Sequence, residues 1–164
     1  MIIWITGLSA SGKTTLAVAI KKKFLKKNFI LIDGDMVRDV FNDLGYEEKD
    51  RIKQITRMQN IAYFLDKQGF NVIVAALFSH PSLLSKNKKI FKKYFEIYLK
   101  ADINFLLNRE VKNLYSRALS NKLKNVVGID IKWNIPKKPN IVFDQSLKYS
   151  TNKMIKLIQK KIKL

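Results

Sequence analysis

Five short runs of apolar residues punctuate the chain at positions 2–5, 29–32, 71–77, 94–99 and 140–143. Each is nearly apolar throughout rather than alternating, as strands of a parallel sheet covered on both faces are. Between the runs, apolar positions recur every three or four residues. Leu16, Ala19, Ile20 and Phe24 predict a helix reaching about residue 27, with lysines between them. Residues 37–44 predict a short helix, broken by Gly45-Tyr46. Glu47 to Asp50 opens the next, which runs to about residue 67 with Ile52, Ile55, Ile61, Ala62 and Leu65 facing inward. Gly69 closes that helix. Further helices are expected through about residue 93 and over 102–108. An amphipathic one over 150–164 turns Met154, Ile155, Ile158 and Ile162 inward. This alternation predicts an α/β fold over 1–164, a single domain with a five-stranded parallel sheet and helices on both faces. The stretch from about 109 to 135 has a basic first half to Lys124 and a second half that reads as irregular loop. So long a segment with little pattern predicts a lid.

The turn after the first run carries chemistry. Gly7-Leu8-Ser9-Ala10-Ser11-Gly12-Lys13-Thr14-Thr15 has the form G-x-x-x-x-G-K-[ST], placed between a strand and a helix. Glycines permit a backbone whose successive N–H groups point inward at phosphate oxygens. The following helix adds the positive end of its dipole. Lys13 is placed to reach the β- and γ-phosphates, and the Thr14 hydroxyl to hold Mg²⁺. A P-loop nucleotide kinase fold that binds a nucleoside triphosphate follows.

The second run ends in Asp33-Gly34-Asp35, then Met36-Val37-Arg38. Ligands of open α/β sheets sit beyond the carboxyl ends of the strands. Two carboxylates there can take a proton from an attacking hydroxyl or order Mg²⁺, which makes Asp33 and Asp35 catalytic candidates with Lys13. A helix N-cap is the alternative for one of the two. His80, the single histidine, stands at a strand end and receives no chemical role.

Composition narrows the setting. With no cysteine, disulfides, zinc–thiolate sites and thiol nucleophiles are excluded. No apolar run has membrane-spanning length, so a cytoplasmic protein without a membrane partner is expected. The net charge of +19 is spread along lysine-rich helix faces, with abundant Ile and Asn and few arginines. Solvated faces and attraction of a polyanionic substrate account for it better than a nucleic-acid surface.

The residues together resemble the adenylylsulfate kinases, P-loop kinases that move the ATP γ-phosphate to the ribose 3′-hydroxyl of adenosine 5′-phosphosulfate. The resemblance runs nearly end to end. It rests on the P-loop with Gly7-Leu8-Ser9, Asp33-Gly34-Asp35 with Arg38, Asp43-Leu44-Gly45-Tyr46, and Asp50-Arg51 with Arg57. It continues through Arg109-Glu110, Lys112-Asn113-Leu114-Tyr115 and Gly128-Ile129-Asp130. It implies that Gly7, Ser9, Ala10, Ser11, Gly12, Lys13, Thr14, Thr15 and Arg109 bind ATP, with Mg²⁺ at Thr14 and Asp33. It implies that Asp35, Arg38, Phe41, Arg51, Arg57, Leu77, Lys112 and Ile129 meet the acceptor. It also implies a homodimer.

The departures cluster at the acceptor. The family's Asp-Arg-x-Glu-Asn-Ile-Arg-Arg reads here Asp50-Arg51-Ile52-Lys53-Gln54-Ile55-Thr56-Arg57. Its Phe-Thr-Gly-Ile-Asp reads Val126-Val127-Gly128-Ile129-Asp130, without the phenylalanine that clamps the acceptor's adenine. Ala75-Ala76-Leu77-Phe78-Ser79 and Ile131-Lys132-Trp133-Asn134 differ as well. Changes gathered at one sub-site favour another base on the same ribose chemistry. Cytidine diphosphoramidate is therefore the expected acceptor, ahead of adenylylsulfate. A nucleic-acid-binding P-loop ATPase is the alternative from another class.

Overall fold

A computed structural model describes residues 1–43, 45–109 and 113–162. Five strands form one all-parallel sheet: β1 (Ile2–Gly7), β2 (Phe29–Asp33), β3 (Asn71–Ala76), β4 (Tyr94–Lys100) and β5 (Ile141–Asp144), in the order β2-β3-β1-β4-β5. Ile2 pairs with Val72 on one side and Tyr94 on the other, which puts β1 at the centre. Among the described residues seven helices connect and cover the strands: α1 (Lys13–Lys23), α2 (Gly34–Val40), α3 (Glu48–Lys67), α4 (Pro81–Ile90), α5 (Ile103–Leu107), α6 (Leu114–Leu119) and α7 (Thr151–Lys161).

The apolar runs are explained by two separate cores. Successive strand side chains point to opposite faces. Ile2 and Trp4 of β1, with Val72 and Val74 of β3, meet Ile55, Met58 and Ala62 of α3 and Leu84 of α4. Ile3 and Ile5, with Ile73 and Ile97, meet Leu16 and Ile20 of α1 and Met154, Ile155 and Ile158 of α7. Both sheet faces are covered over the central strands, so the strand residues are mainly apolar, with Thr6 and Glu96 among the buried exceptions.

Several expected boundaries move. α1 stops at Lys23, and Leu25–Lys27 form a separate 3-10 turn. The short helix expected over 37–44 lies earlier, at Gly34–Val40, because Asp33 caps it. α4 ends at Ile90, three residues before the expected end. On α3, Ile52 is 37 % exposed rather than inward, one turn from the capped end where the helix has not yet met the sheet. That end is closed by a reciprocal pair, Glu47 accepting from the N3 backbone and Asp50 accepting from the Glu47 N–H. The expected basic stretch before Lys124 contains α6, whose Tyr115 and Ala118 are buried beneath its charged face.

The segment after α6 is also tied down. Gly128 takes a positive φ of +97° and donates its N–H to Ile131 O at 2.8 Å, and Val127 bridges Ile131. Asp130 accepts from the backbone N–H groups of Asn125 and Val126.

Candidate active site

β1 delivers the chain to Gly7 and α1 begins at Lys13. Between them Ala10 (φ 59°) and Gly12 (φ +93°) are left-handed, so the loop curls around its own N–H groups. A Cβ on Gly7 would stand 2.7 Å from both the Leu99 carbonyl oxygen and Ser11 Oγ, closer than packed atoms approach, so glycine is required there. The Ser11 hydroxyl is buried and has no hydrogen-bond partner among the described residues. Lys13 Nζ donates to Leu8 O at 2.7 Å. Burial pulls its ammonium from 10.5 down to about 8, against the opposing pull of Asp33 and Asp35. Inward N–H groups, a buried hydroxyl and a desolvated cation are together complementary to phosphate.

The two aspartates take different parts. Thr14 Oγ1 donates to Asp33 Oδ2 at 2.7 Å, and the Asp35 N–H donates to Asp33 Oδ1 at 3.0 Å. Asp33 therefore caps α2 and faces the P-loop at once, and the choice between cap and site does not arise. Asp35, in the first turn of α2, is exposed, and its carboxylate has no hydrogen-bond or ion-pair partner among the described residues. The hard oxygens of Thr14 and Asp33 beside Lys13 suit Mg²⁺, which is held by one or two protein groups and the phosphates of a substrate. Among the described residues no group of three or more His, Cys, Asp or Glu side chains is placed to hold a metal ion.

On the other side of Asp35, α2 and α3 present three arginines. Arg38 Nη1 donates to Gly45 O, and its guanidinium lies 4.5 Å from the centre of the Tyr46 ring. Arg51 is buried. Its Nε donates to Tyr46 O at 3.0 Å and its Nη2 to Asn125 O, tying α3 to the 125–131 turn. Burial and the neighbouring Arg38 charge lower its pKa. Arg57 pairs with Asp43 at 2.6 Å and lies 4.8 Å over the Phe41 ring. The Gly45 N–H, Arg57 and Lys53 hold the Asp43 carboxyl below its usual range. Leu77 and Ile129 pack half-buried against the apolar cluster between this wall and the sheet. Val126, where the family carries an aromatic clamp, is buried in the same cluster. Gln54 is buried with its Nε2 donating to Gly34 O at 2.8 Å, between the two aspartates.

Behind the P-loop a cavity of about 370 Å³ is lined by Ser11, Gly12 and Thr15 together with Phe105, Arg109 and Gln145. Arg109 is exposed, with its guanidinium 5.4 Å from the Phe105 ring centre. Tyr115, fully buried, donates its hydroxyl to Ser9 O at 3.1 Å and so braces the loop from α6.

The candidate residues thus fall into one contiguous region at the carboxyl ends of β1 and β2, with Arg109 at its far edge. Lys112 and Glu110 lie outside the described residues, as does Leu44. Sequence reading missed Tyr46 as the platform shared by two arginines. It also missed Tyr115 as the brace of the P-loop and Phe105 as the partner of Arg109. Tyr115 acts on a residue 106 positions away, which spacing cannot show, whereas Phe105 and Arg109 stand four apart, a pairing that helical spacing could have suggested. His80, given no role, holds Ser82 through Nδ1 at 2.8 Å.

Comparisons with known proteins agree with this fold. The profile of the adenylylsulphate kinase family matches residues 1–144. Cytidine diphosphoramidate kinase of Campylobacter jejuni is 37 % identical over 165 residues, covering 99 % of this chain and 96 % of that one. Adenylyl-sulfate kinase of Pseudomonas aeruginosa is 36 % identical over 148 residues, 87 % of this chain and 76 % of that one. The structure of the Mycobacterium tuberculosis APS kinase in complex with AMPPNP and APS superposes with a TM-score of 0.87 at 26 % identity, covering 98 % and 95 % of the two chains. The chain belongs to the adenylylsulfate kinase family of P-loop phosphotransferases.

Proposed function

We propose that this kinase transfers the γ-phosphate of ATP to the ribose 3′-hydroxyl of cytidine diphosphoramidate, in capsule phosphoramidate synthesis. The observation that carries the choice of acceptor is the similarity, along 99 % of the chain, to a protein bearing that name. The site supports it. Val126 is 3 % exposed and aliphatic, so it offers no ring face for an adenine. Base–aromatic stacking contributes about 1–3 kcal/mol per base, and a chain lacking it has less hold on adenylylsulfate. Adenylylsulfate is the second reading, favoured by the adenylyl-sulfate kinases at similar identity.

The in-line transfer asks mainly for positioning and charge stabilisation. P-loop N–H groups, Ser11 and Lys13 hold the β- and γ-phosphates of the donor. Thr14 and Asp33 would hold Mg²⁺, which when bound neutralises charge between those phosphates. Asp33 is already engaged by Thr14 and by the α2 backbone, so Asp35 is the base. Its free carboxylate accepts the 3′-hydroxyl proton as the oxygen attacks the γ-phosphorus, and ADP leaves. Arg38, Arg51 and Arg57 orient the acceptor's anionic tail, with Phe41, Leu77 and Ile129 along its nucleoside. Arg109 packs on the donor base, and Lys112 in the lid covers the acceptor and helps shield the reaction from water. The same reading makes the protein a cytoplasmic homodimer. Among the described residues no helix is long and apolar enough to cross a membrane.

The test offers ATP and Mg²⁺ with cytidine diphosphoramidate, CDP and adenylylsulfate, and locates the new phosphate by phosphorus NMR. A 3′-phosphorylated cytidine product is expected. Efficient turnover of adenylylsulfate with none of the cytidine compounds would reverse the choice of acceptor.

A further inference from the structure

The cavity behind the P-loop contains a buried amide with too little to bind. Gln145, just past the end of β5, is 6 % exposed. Its amide carries two N–H donors and a carbonyl acceptor. Among the described residues its one hydrogen-bond partner is the Met154 thioether, at 3.9 Å from Nε2. Sulfur of this kind is a weak acceptor. The Gln145 carbonyl oxygen is not sealed from solvent, so the amide is open to a polar partner in the cavity. Gln145 lines the cavity that also touches Ser11, Gly12 and Thr15 of the P-loop. A nucleotide whose phosphates lie in the loop therefore brings its base toward this wall. Phe105 and Arg109 offer flat faces in the same cavity.

We infer that Gln145 reads the base edge of the phosphate donor and selects adenine by its 6-amino group. An amide matches adenine with both of its functions, the carbonyl accepting from N6–H and an N–H donating to the adjacent ring nitrogen. Stacking on Phe105 and Arg109 is indifferent to base identity, because every base has a π-face. Selectivity must then come from the edge, and among the side chains lining the cavity Gln145 is the amide, whose donor and acceptor sit side by side as a base edge requires, whereas the Ser11 hydroxyl belongs to the phosphate loop. The inference rests on the family's use of ATP and concerns the donor alone, so the identity of the acceptor does not enter.

The experiment titrates the full chain with MgATP and with the triphosphate of purine riboside, which lacks the 6-amino group, in the absence of any acceptor. Wild type should bind ATP at least about fivefold more tightly, the low end of what a bidentate amide–base pair discriminates. Gln145→Met, of similar volume and without an amide, should bind both nucleotides within about twofold of each other. Its thermal midpoint should be no lower than wild type, since it removes a poorly satisfied polar group. Gln145→Glu keeps an acceptor for N6–H and should keep a preference for ATP. Equal binding of the two nucleotides by wild type, or an unchanged preference in Gln145→Met, would overturn the inference. Failure of wild type to bind either nucleotide would instead sink the kinase assignment itself.

Discussion

On the proposed reading, the donor and acceptor walls of the site are built in different ways. The donor wall is mostly backbone. Its shape follows from left-handed residues at 10 and 12, a glycine at 7 with no room for a Cβ, and a helix that starts at Lys13. The acceptor wall is mostly side chain: Arg38 and Arg51 around Tyr46, and Arg57 on Phe41 with Asp43. Backbone recognition tolerates few substitutions, because a changed residue must still adopt the same φ and leave the same space. Side-chain recognition can be altered one residue at a time. The family pattern expected from the resemblance is intact in the P-loop, and its departures at Lys53, Gln54, Thr56 and Val126 fall on the side we assign to the acceptor. A lineage can change its acceptor while the phosphate donor stays the same.

The comparison is sharpest for the charged groups at its centre. Lys13→Ala and Asp35→Asn should each lower kcat at least about 10²-fold, the scale of a lost electrostatic or acid–base group. Steady-state kinetics on the purified variants would settle it, and near-wild-type turnover in either would break the division of labour. Gly7→Ala should be nearly as damaging through geometry alone. Its Cβ would meet the Leu99 backbone, and overpacking of this kind costs about 1–3 kcal/mol. Equilibrium nucleotide binding together with a melting curve reads both effects.

Arg57→Ala should fall on the acceptor side only. We expect the acceptor KM to rise about tenfold while the ATP KM stays within twofold, as for loss of a half-buried charged contact. Equal changes in both constants would argue that the two walls are coupled. Arg51→Ala should differ from Arg57→Ala in stability, because it removes a buried side chain and its two hydrogen bonds to the carbonyls of Tyr46 and Asn125. A loss of about 1–3 kcal/mol in urea unfolding is expected.

The smallest effect is a pH dependence confined to the donor wall. The folded Lys13 titrates near 8, below its ordinary 10.5. ATP affinity should be flat below pH 8 and weaken above it, as the unliganded lysine loses its charge. Stability should move the other way. Between about pH 8 and 10.5 the unfolded chain holds a proton that the folded chain has released, so this lysine's burial penalty fades and its contribution to stability rises with pH. Lys13→Met should abolish that component, as paired melting curves at pH 7 and 9.5 would reveal.

Much of this was legible before any coordinates. The two apolar faces of each strand predict a covered parallel sheet, and the P-loop motif between strand and helix predicts its own geometry. What failed did so for identifiable reasons. α6 was hidden because its buried positions, Tyr115 and Ala118, sit among basic and polar residues on a one-and-a-half-turn helix too short to show a period. Ile52 was placed inward by helical spacing, but the spacing extends past the point where α3 meets the sheet. Asp33 was posed as cap or ligand, while its two carboxylate oxygens serve both partners.

The sequence by itself determined the phosphate cradle, because every atom of that cradle comes from nine consecutive residues whose conformations are local. The same is true of the sheet's composition and of the pair Asp33 and Asp35 at a strand end. Only the tertiary structure decided which aspartate is free and which arginines share Tyr46. Only it placed Gln145 behind the P-loop, beside a thioether that leaves its amide short of partners. Those relations join residues far apart in the chain, and their energies depend on burial and direction, which spacing along a sequence does not encode.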